Sequence, residues 1–186
     1  MVKVAIAGGI GSGKSFVCQL LERRGIHVYD CDRAAKRIMA SSTKIQSDLM
    51  DVVGHDVVLE GKINKGVLAS FILENDDNVA KINAIVHPAV ANDFVKSGCS
   101  WMECAILFSS GFNKLVDKVI CVTAPLEVRI DRIMRRDGIS RQKAMEWISL
   151  QMSQDEMVAL SDYEIVNDGI MGLEAQIDSI LASLKQ

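Results

Sequence analysis

The stretch "AIAGGIGSGKSF" (Ala5–Phe16) decides how the rest of this chain is read. Gly8, Gly13, Lys14 and Ser15 stand in the spacing Gly-x-x-x-x-Gly-Lys-Ser, the full P-loop pattern. Phosphate binding asks for these residue types. Glycines let backbone N–H groups approach an anion. A helix that starts directly after the loop aims the positive end of its dipole at the same point. Lys14 reaches the outer phosphates, and the Ser15 hydroxyl ligates magnesium. The context agrees. "VKVAIA" (Val2–Ala7) reads as a strand, and "KSFVCQLLERRG" carries Phe16, Val17, Leu20 and Leu21 at helical spacing, with Gly25 as the stop.

Working outward, Ile26–Tyr29, Trp101–Leu107, Lys118–Thr123 and Tyr163–Val166 read as four more strands. "PLEVRIDRIMRRDG" is a helix stopped by Gly138, and "LEAQIDSILASL" closes the chain as another. Strands that alternate with helices make a parallel sheet covered on both faces. The expected fold is therefore α/β, a three-layer P-loop NTPase with a five-stranded parallel sheet. From about 34 to 97 the rhythm turns helical, as in "VAKINAIVHPAVANDFV", and predicts an insertion between the second and third core strands. The single domain then divides into a core (1–33, 98–128 and 157–186), the helical insertion (34–97) and a lid (129–156).

The 186 residues suffice for one compact domain, and an apolar fraction of 49% argues against disorder. A net charge of −3 supplies no basic field, so nucleic acid is not an expected partner. No apolar run is long enough for a bilayer, and the N-terminal run leads straight into the glycines, as a first strand does. Cys18, Cys31, Cys99, Cys104 and Cys121 form no CxxC pair, so neither zinc nor a disulfide framework is expected. Five free thiols suit a reducing cytoplasm.

A P-loop alone does not choose between a GTPase switch, a motor-type ATPase and a kinase. "DVVG" (Asp51–Gly54) fits a GTPase DxxG element by letter but lies in a helical region. "NKLV" (Asn113–Val116) and "NKGV" (Asn64–Val67) lack the aspartate that guanine recognition requires. A kinase needs a carboxylate near the γ-phosphate and a mobile basic segment. Asp30 and Asp32 end the second strand; in an extended chain they face the same way, at the carboxyl edge where ligands of parallel sheets sit. The plainer alternative is that Asp32 only caps the helix "RAAKRIMA", and one residue can serve both roles. Arg129, Arg132 and Arg136 fall at i, i+3 and i+7 on one helix face, suited to polyphosphate or else simply solvated; Asp131 and Asp137 could pair with them. "DGIS" (Asp137–Ser140) turns into a second helix capped by Ser140, which completes a lid.

"GGIGSGKS", "YDCD", "HPAV", "RIMRRDG", the Gln-Met pair "QM" and "SDYEIVNDG" follow one another in an order that resembles the dephospho-coenzyme A kinases, from Val4 to the last helix. The resemblance implies transfer of the γ-phosphate of ATP to the 3′-hydroxyl of dephospho-CoA, giving CoA and ADP. The partners it implies are ATP with Mg2+ and dephospho-CoA, in a monomer or weak homo-oligomer whose insertion binds CoA. Gly9, Ile10, Gly11, Ser12, Gly13, Lys14 and Ser15 would hold the ATP phosphates and the metal. Asp32 would be the general base, with Asp30 beside it. Arg136 and Arg132 would come from the lid, and Asn167 and Gly169 would lie against adenine. His87 would sit on the CoA side, although a structural histidine ahead of a proline break is an equal reading, and Lys65 stands where the family often has arginine. After the third strand, Ala105 and Ser109 replace a usual proline and glutamate, with Glu103 the candidate substitute for the latter; Arg129 replaces a usual glutamine. Another small-molecule kinase on the same scaffold, or a regulatory nucleotide-binding module, remain as rivals.

Overall fold

The computed structural model describes residues 2–185. In chain order the elements are β1 (Val4–Ala7), α1 (Lys14–Arg23), β2 (Val28–Asp30), α2 (Cys31–Ser41), α3 (Thr43–Val53), β3 (Val58–Leu59), β4 (Lys62–Ile63), α4 (Lys65–Glu74), α5 (Asp76–Ser97), β5 (Trp101–Glu103), β6 (Lys118–Thr123), α6 (Leu126–Asp137), α7 (Arg141–Ser149), α8 (Gln154–Ala159), β7 (Tyr163–Val166) and α9 (Leu173–Ser183). Five strands form one sheet in the order β2-β5-β1-β6-β7. The pairs β1–β5, β1–β6 and β6–β7 are parallel, as the alternation of strands and helices predicts. The chain forms two compact units. One runs up to Tyr29 and resumes at Cys99; the other is Asp30–Gly98.

The core of the first unit follows from the pleat. Val4 and Ile6 point to one face of β1 and meet Val17, Leu20 and Leu21 of α1, Ile120 and Val122 of β6, and Ile177 and Ile180 of α9. Every residue of β1 is at most 1% exposed, the signature of a strand covered on both sides. Two glutamines fasten the ends of β6 and β7. The Gln154 side chain accepts from Ala124 N–H (2.9 Å) and donates to Ala124 C=O (3.0 Å) after β6. Gln176 does the same to Val166 at the end of β7, at 2.9 and 3.0 Å. Each amide copies a strand neighbour where the ladder stops.

Three expectations need correction. The strand expected over Trp101–Leu107 ends at Glu103. Its partner β1 turns away into the glycines after Ala7, so the ladder closes with Ile6 opposite Glu103 and Cys104 N–H on Ile6 C=O. Ser109 and Ser110 hydroxyls then donate to the carbonyls of Ile106 and Leu107 and hold a turn. The proline break expected after His87 does not occur, because α5 continues through Pro88 to Ser97. The ring deprives the Ala84 carbonyl of its usual donor. Ala84 and Pro88 both lie on the exposed side of α5. The third correction concerns Asp32, and belongs to the site.

In the Asp30–Gly98 unit, α5 packs against α2, α3 and α4. The two-residue strands β3 and β4 pair as a small hairpin that the helical pattern did not announce. Among the described residues, no helix is long and apolar enough to cross a membrane.

Candidate active site

The loop between β1 and α1 is held from outside. Arg132 donates to the carbonyls of Gly11 and Ser12 (3.3 Å each), and Asn167 Nδ2 donates to Ser12 C=O at 2.9 Å. Arg132 also donates to the Asn167 carbonyl and Oδ1, both at 3.1 Å, so the two clamps brace one another. A peptide unit is planar, and its C=O and N–H point opposite ways. Drawing the carbonyls of Gly11 and Ser12 toward these donors turns the N–H groups of Ser12 and Gly13 the other way. Ser12 N–H closes on Gly9 C=O at 3.2 Å. Gly13, at φ +92°, is the left-handed residue that starts α1, and a Cβ there would overlap Asn167 Nδ2.

Lys14 is 9% exposed. Its Nζ donates back to Gly8 C=O (2.8 Å) and Gly9 C=O (3.3 Å). Burial pushes its pKa below the ordinary lysine value, and the charge of Glu103 works in the other direction. Glu103 ends β5 beside β1, and the Cys18 thiol is hydrogen-bonded to it. Burial, with that carboxylate, pushes the Cys18 thiol far up, so it stays protonated. Ser12 Oγ is fully buried and has no partner among the described residues. Ser15 is exposed at the first turn of α1, a helix whose first N–H groups have no partner within it. A buried cation on weak carbonyl acceptors, an orphaned hydroxyl and a helix start together fit a polyphosphate. The exposed Ser15 hydroxyl fits a magnesium ion carried with it. No group of three or more metal-ligating side chains gathers among the described residues. Magnesium at phosphoryl-transfer sites needs none, since it is held by one or two side chains, water and the phosphates.

Asp30 and Asp32 part company. Asp30, the last residue of β2, is the cap of α2, and its carboxylate accepts from Arg33 N–H at 2.8 Å. Cys31 and Asp32 are already helical, so the strand alternation that would align the two aspartates does not apply. Asp32 is exposed and pairs with Lys36 at 3.1 Å, one helical turn on. The expected cap role falls to its neighbour and leaves the Asp32 carboxylate at the surface.

The arginine face also divides. Arg129 is 5% exposed and turned to the loop, and Arg132 grips it as described. Arg136 is exposed and bound through Nε and Nη2 to Asp137 (2.8–3.1 Å). Gly138 ends α6 in the left-handed conformation, and Ser140 caps α7 by accepting from Lys143 N–H, as the "DGIS" reading expects. After β7, Asn167 turns inward to the loop, while Asp168 Oδ1 accepts from Ile170 and Met171 N–H (2.8 Å each) and leaves Gly169 exposed. In the second unit, Lys65 is exposed at the start of α4. Burial lowers the pKa of His87, in mid-α5, below the ordinary histidine value. A groove of about 600 Å³ in this unit is lined by Ile38, Ile45, Ile85 and Pro88 together with Lys44, Lys96, Asp48 and Asp93.

Sequence reasoning gave no role to Gln151, whose Oε1 accepts from Ile10 N–H at 2.7 Å. The pair "QM" stands in the sequence, but a contact spanning 141 residues leaves no local signal.

Comparison with known proteins follows the same lines. The family described as dephospho-CoA kinase matches residues 2–172. A curated dephospho-CoA kinase of Bacteroides fragilis is 40% identical over 192 residues, covering 100% of this chain and 94% of the relative. A crystal structure from Thermus thermophilus superposes with a TM-score of 0.84 at 28% identity, over 98% of this chain and 97% of that one. The dephospho-CoA kinase of Campylobacter jejuni, at 18% identity and TM-score 0.69 over 98% and 96%, shares the fold. The chain belongs to the dephospho-CoA kinase family.

Proposed function

We propose that this kinase transfers the γ-phosphoryl group of ATP to the 3′-hydroxyl of dephospho-CoA, the last step of coenzyme A biosynthesis, with the residues of the braced loop in the donor site. The observation that carries the reading is the loop itself: its carbonyls are held outward by Arg132 and Asn167, and Lys14 is buried on Gly8 and Gly9. Phosphoryl transfer is mostly positioning and charge stabilisation, and a cradle already in place supplies both.

In this reading Lys14 leaves its two carbonyls for the β- and γ-phosphates. The 3′-oxygen attacks the γ-phosphorus, the bond to the bridging oxygen of ADP breaks, and the hydroxyl proton passes to Asp32. The exposure of Asp32 leaves its carboxylate open to an incoming hydroxyl. Asp30 shapes the turn that presents it. Arg136 exchanges Asp137 for the transferring phosphoryl group, whose charge a guanidinium stabilises. Ser15 would hold magnesium, which draws charge off the phosphates when bound. Arg132 acts by keeping the loop in shape. Gly169 lies on the adenine side, with Asn167 as its anchor. The acceptor falls to the Asp30–Gly98 unit, where Lys65, His87 and the 600 Å³ groove are the contact candidates. Five cysteines outside any disulfide suit work in the cytoplasm.

The test is ADP release with ATP and magnesium, with and without dephospho-CoA, and mass detection of the product. Release that depends on dephospho-CoA, with a product of CoA mass, is expected. ATP binding without acceptor-dependent release would refute the assignment of the acceptor.

A further inference from the structure

Ile10 is gripped from three sides. Its N–H donates to Gln151 Oε1 at 2.7 Å, and its carbonyl accepts from Arg129 Nε at 2.9 Å. Its side chain packs on the cluster of Ile130, Ile133 and Ala144, which Trp147 and Ile148 also border. The peptide units on both sides of Ile10 are therefore fixed in space. Gly9 makes this possible, because a Cβ there would overlap the Arg129 guanidinium and approach Gln151 Oε1 within 3.3 Å. A donor on the Ile10 carbonyl turns the Gly11 N–H to the opposite side. Burial works against the charge of Arg129, so the contacts that keep it there are specific.

We infer that Arg129 and Gln151 are positioning residues for nucleotide binding, which pin the two peptides flanking Ile10 and tie α6 and α7 to the phosphate cradle. The inference rests on the reading of this loop as the ATP site and adds to it the parts that set its shape. Neither side chain needs to touch the nucleotide. Each acts through the Gly11 N–H and through Ile10, whose side chain shares its cluster with Trp147.

The test uses Arg129→Met, Arg129→Gln and Gln151→Met in the full chain. Kd for ATP with magnesium and KM for each substrate are measured, and emission of Trp147 is followed in a Trp101→Phe background. ATP should change Trp147 emission in the Trp101→Phe parent. Arg129→Met and Gln151→Met should each weaken ATP binding about tenfold, the worth of one hydrogen bond. They should blunt the emission response at saturating ATP and leave the KM for dephospho-CoA unchanged. Arg129→Gln, which keeps a donor of shorter reach, should recover part of the loss. If Arg129→Met fails to fold, Gln151→Met carries the test, since Gln151 lies after α7 and outside the cluster. Wild-type affinity and emission in the variants, or equal losses for both substrates, would overturn the inference and leave the ATP site standing. Failure of the wild type to bind ATP would overturn the reading of the loop, and this inference with it.

Discussion

Gly13→Ala is the substitution whose cost can be worked out from the site alone. It does two things at once. The backbone at φ +92° is left-handed, which costs a non-glycine residue about 1–2 kcal/mol. The new Cβ also overlaps Asn167 Nδ2 and drives it off the Ser12 carbonyl. Arg132 still serves that carbonyl at 3.3 Å, so the lost bond costs about 1–2 kcal/mol. The sum of about 2–4 kcal/mol corresponds to a fall in Tm of roughly 4–16 °C for a chain of this size. Asn167→Ala alone should cost about 1–2 kcal/mol. In the double variant the overlap is gone, because the next atom from a Cβ at 13 is Arg132 Nη1 at 3.6 Å. Only strain and the loss of the Asn167 side-chain bonds remain, and the displaced Asn167 of Gly13→Ala has already given these up, so the double variant should be no less stable than Gly13→Ala. Urea denaturation of the four proteins closes the cycle. Additivity within about 0.5 kcal/mol would refute the coupling of loop and Asn167.

The other predictions separate neighbours that the sequence paired. Asp32→Asn should lower kcat about 100-fold or more while Tm stays within about 1 °C, because an exposed pair with Lys36 adds little stability. Asp30→Ala should cost about 1 kcal/mol through the lost cap, seen in thermal denaturation. Arg136→Ala should lower kcat; a change confined to KM would make it a ground-state binder. Partial burial raises the pKa of Asp162, but Lys118 Nζ at 2.7 Å and Val119 N–H at 2.8 Å outweigh it and hold the carboxyl below its usual value. The unfolded chain then binds more protons than the native one in acid, so this stability is present above about pH 4 and lost as pH falls further. Asp162→Asn should lower Tm at neutral pH and flatten the acid limb of its pH profile.

The parts legible in the sequence are those governed by local rules. The strand–glycine–helix order around Lys14, the stops at Gly25 and Gly138 and the cap at Ser140 each depend on residues a few positions apart. The end of β5 was not legible, because it is set by where β1 leaves the sheet, a hundred residues earlier. α2 starts two residues ahead of a helix capped by Asp32, since "DCD" offers two good caps and only the backbone decides which one is used. The arginine face was read as one surface. Burial divides it, because Arg129 and Arg132 find carbonyl acceptors in the loop while Arg136 has Asp137 at hand.

These distances in sequence bear on how the site comes into being. Glycine gives up more freedom on ordering than any other residue, roughly 0.5–1 kcal/mol relative to alanine. A loop with glycine at 8, 9, 11 and 13 therefore does not hold its own shape. The groups that hold it are Arg129, Arg132, Gln151 and Asn167, with contacts that span 119 to 155 residues. They stand on elements that follow β6 and β7, so the sheet must be assembled before the cradle has walls. The motif names the ligand, but the later half of the chain makes the motif able to bind it. A peptide carrying Ala5–Phe16 alone would keep every residue of the pattern and none of the donors that turn its N–H groups toward a phosphate.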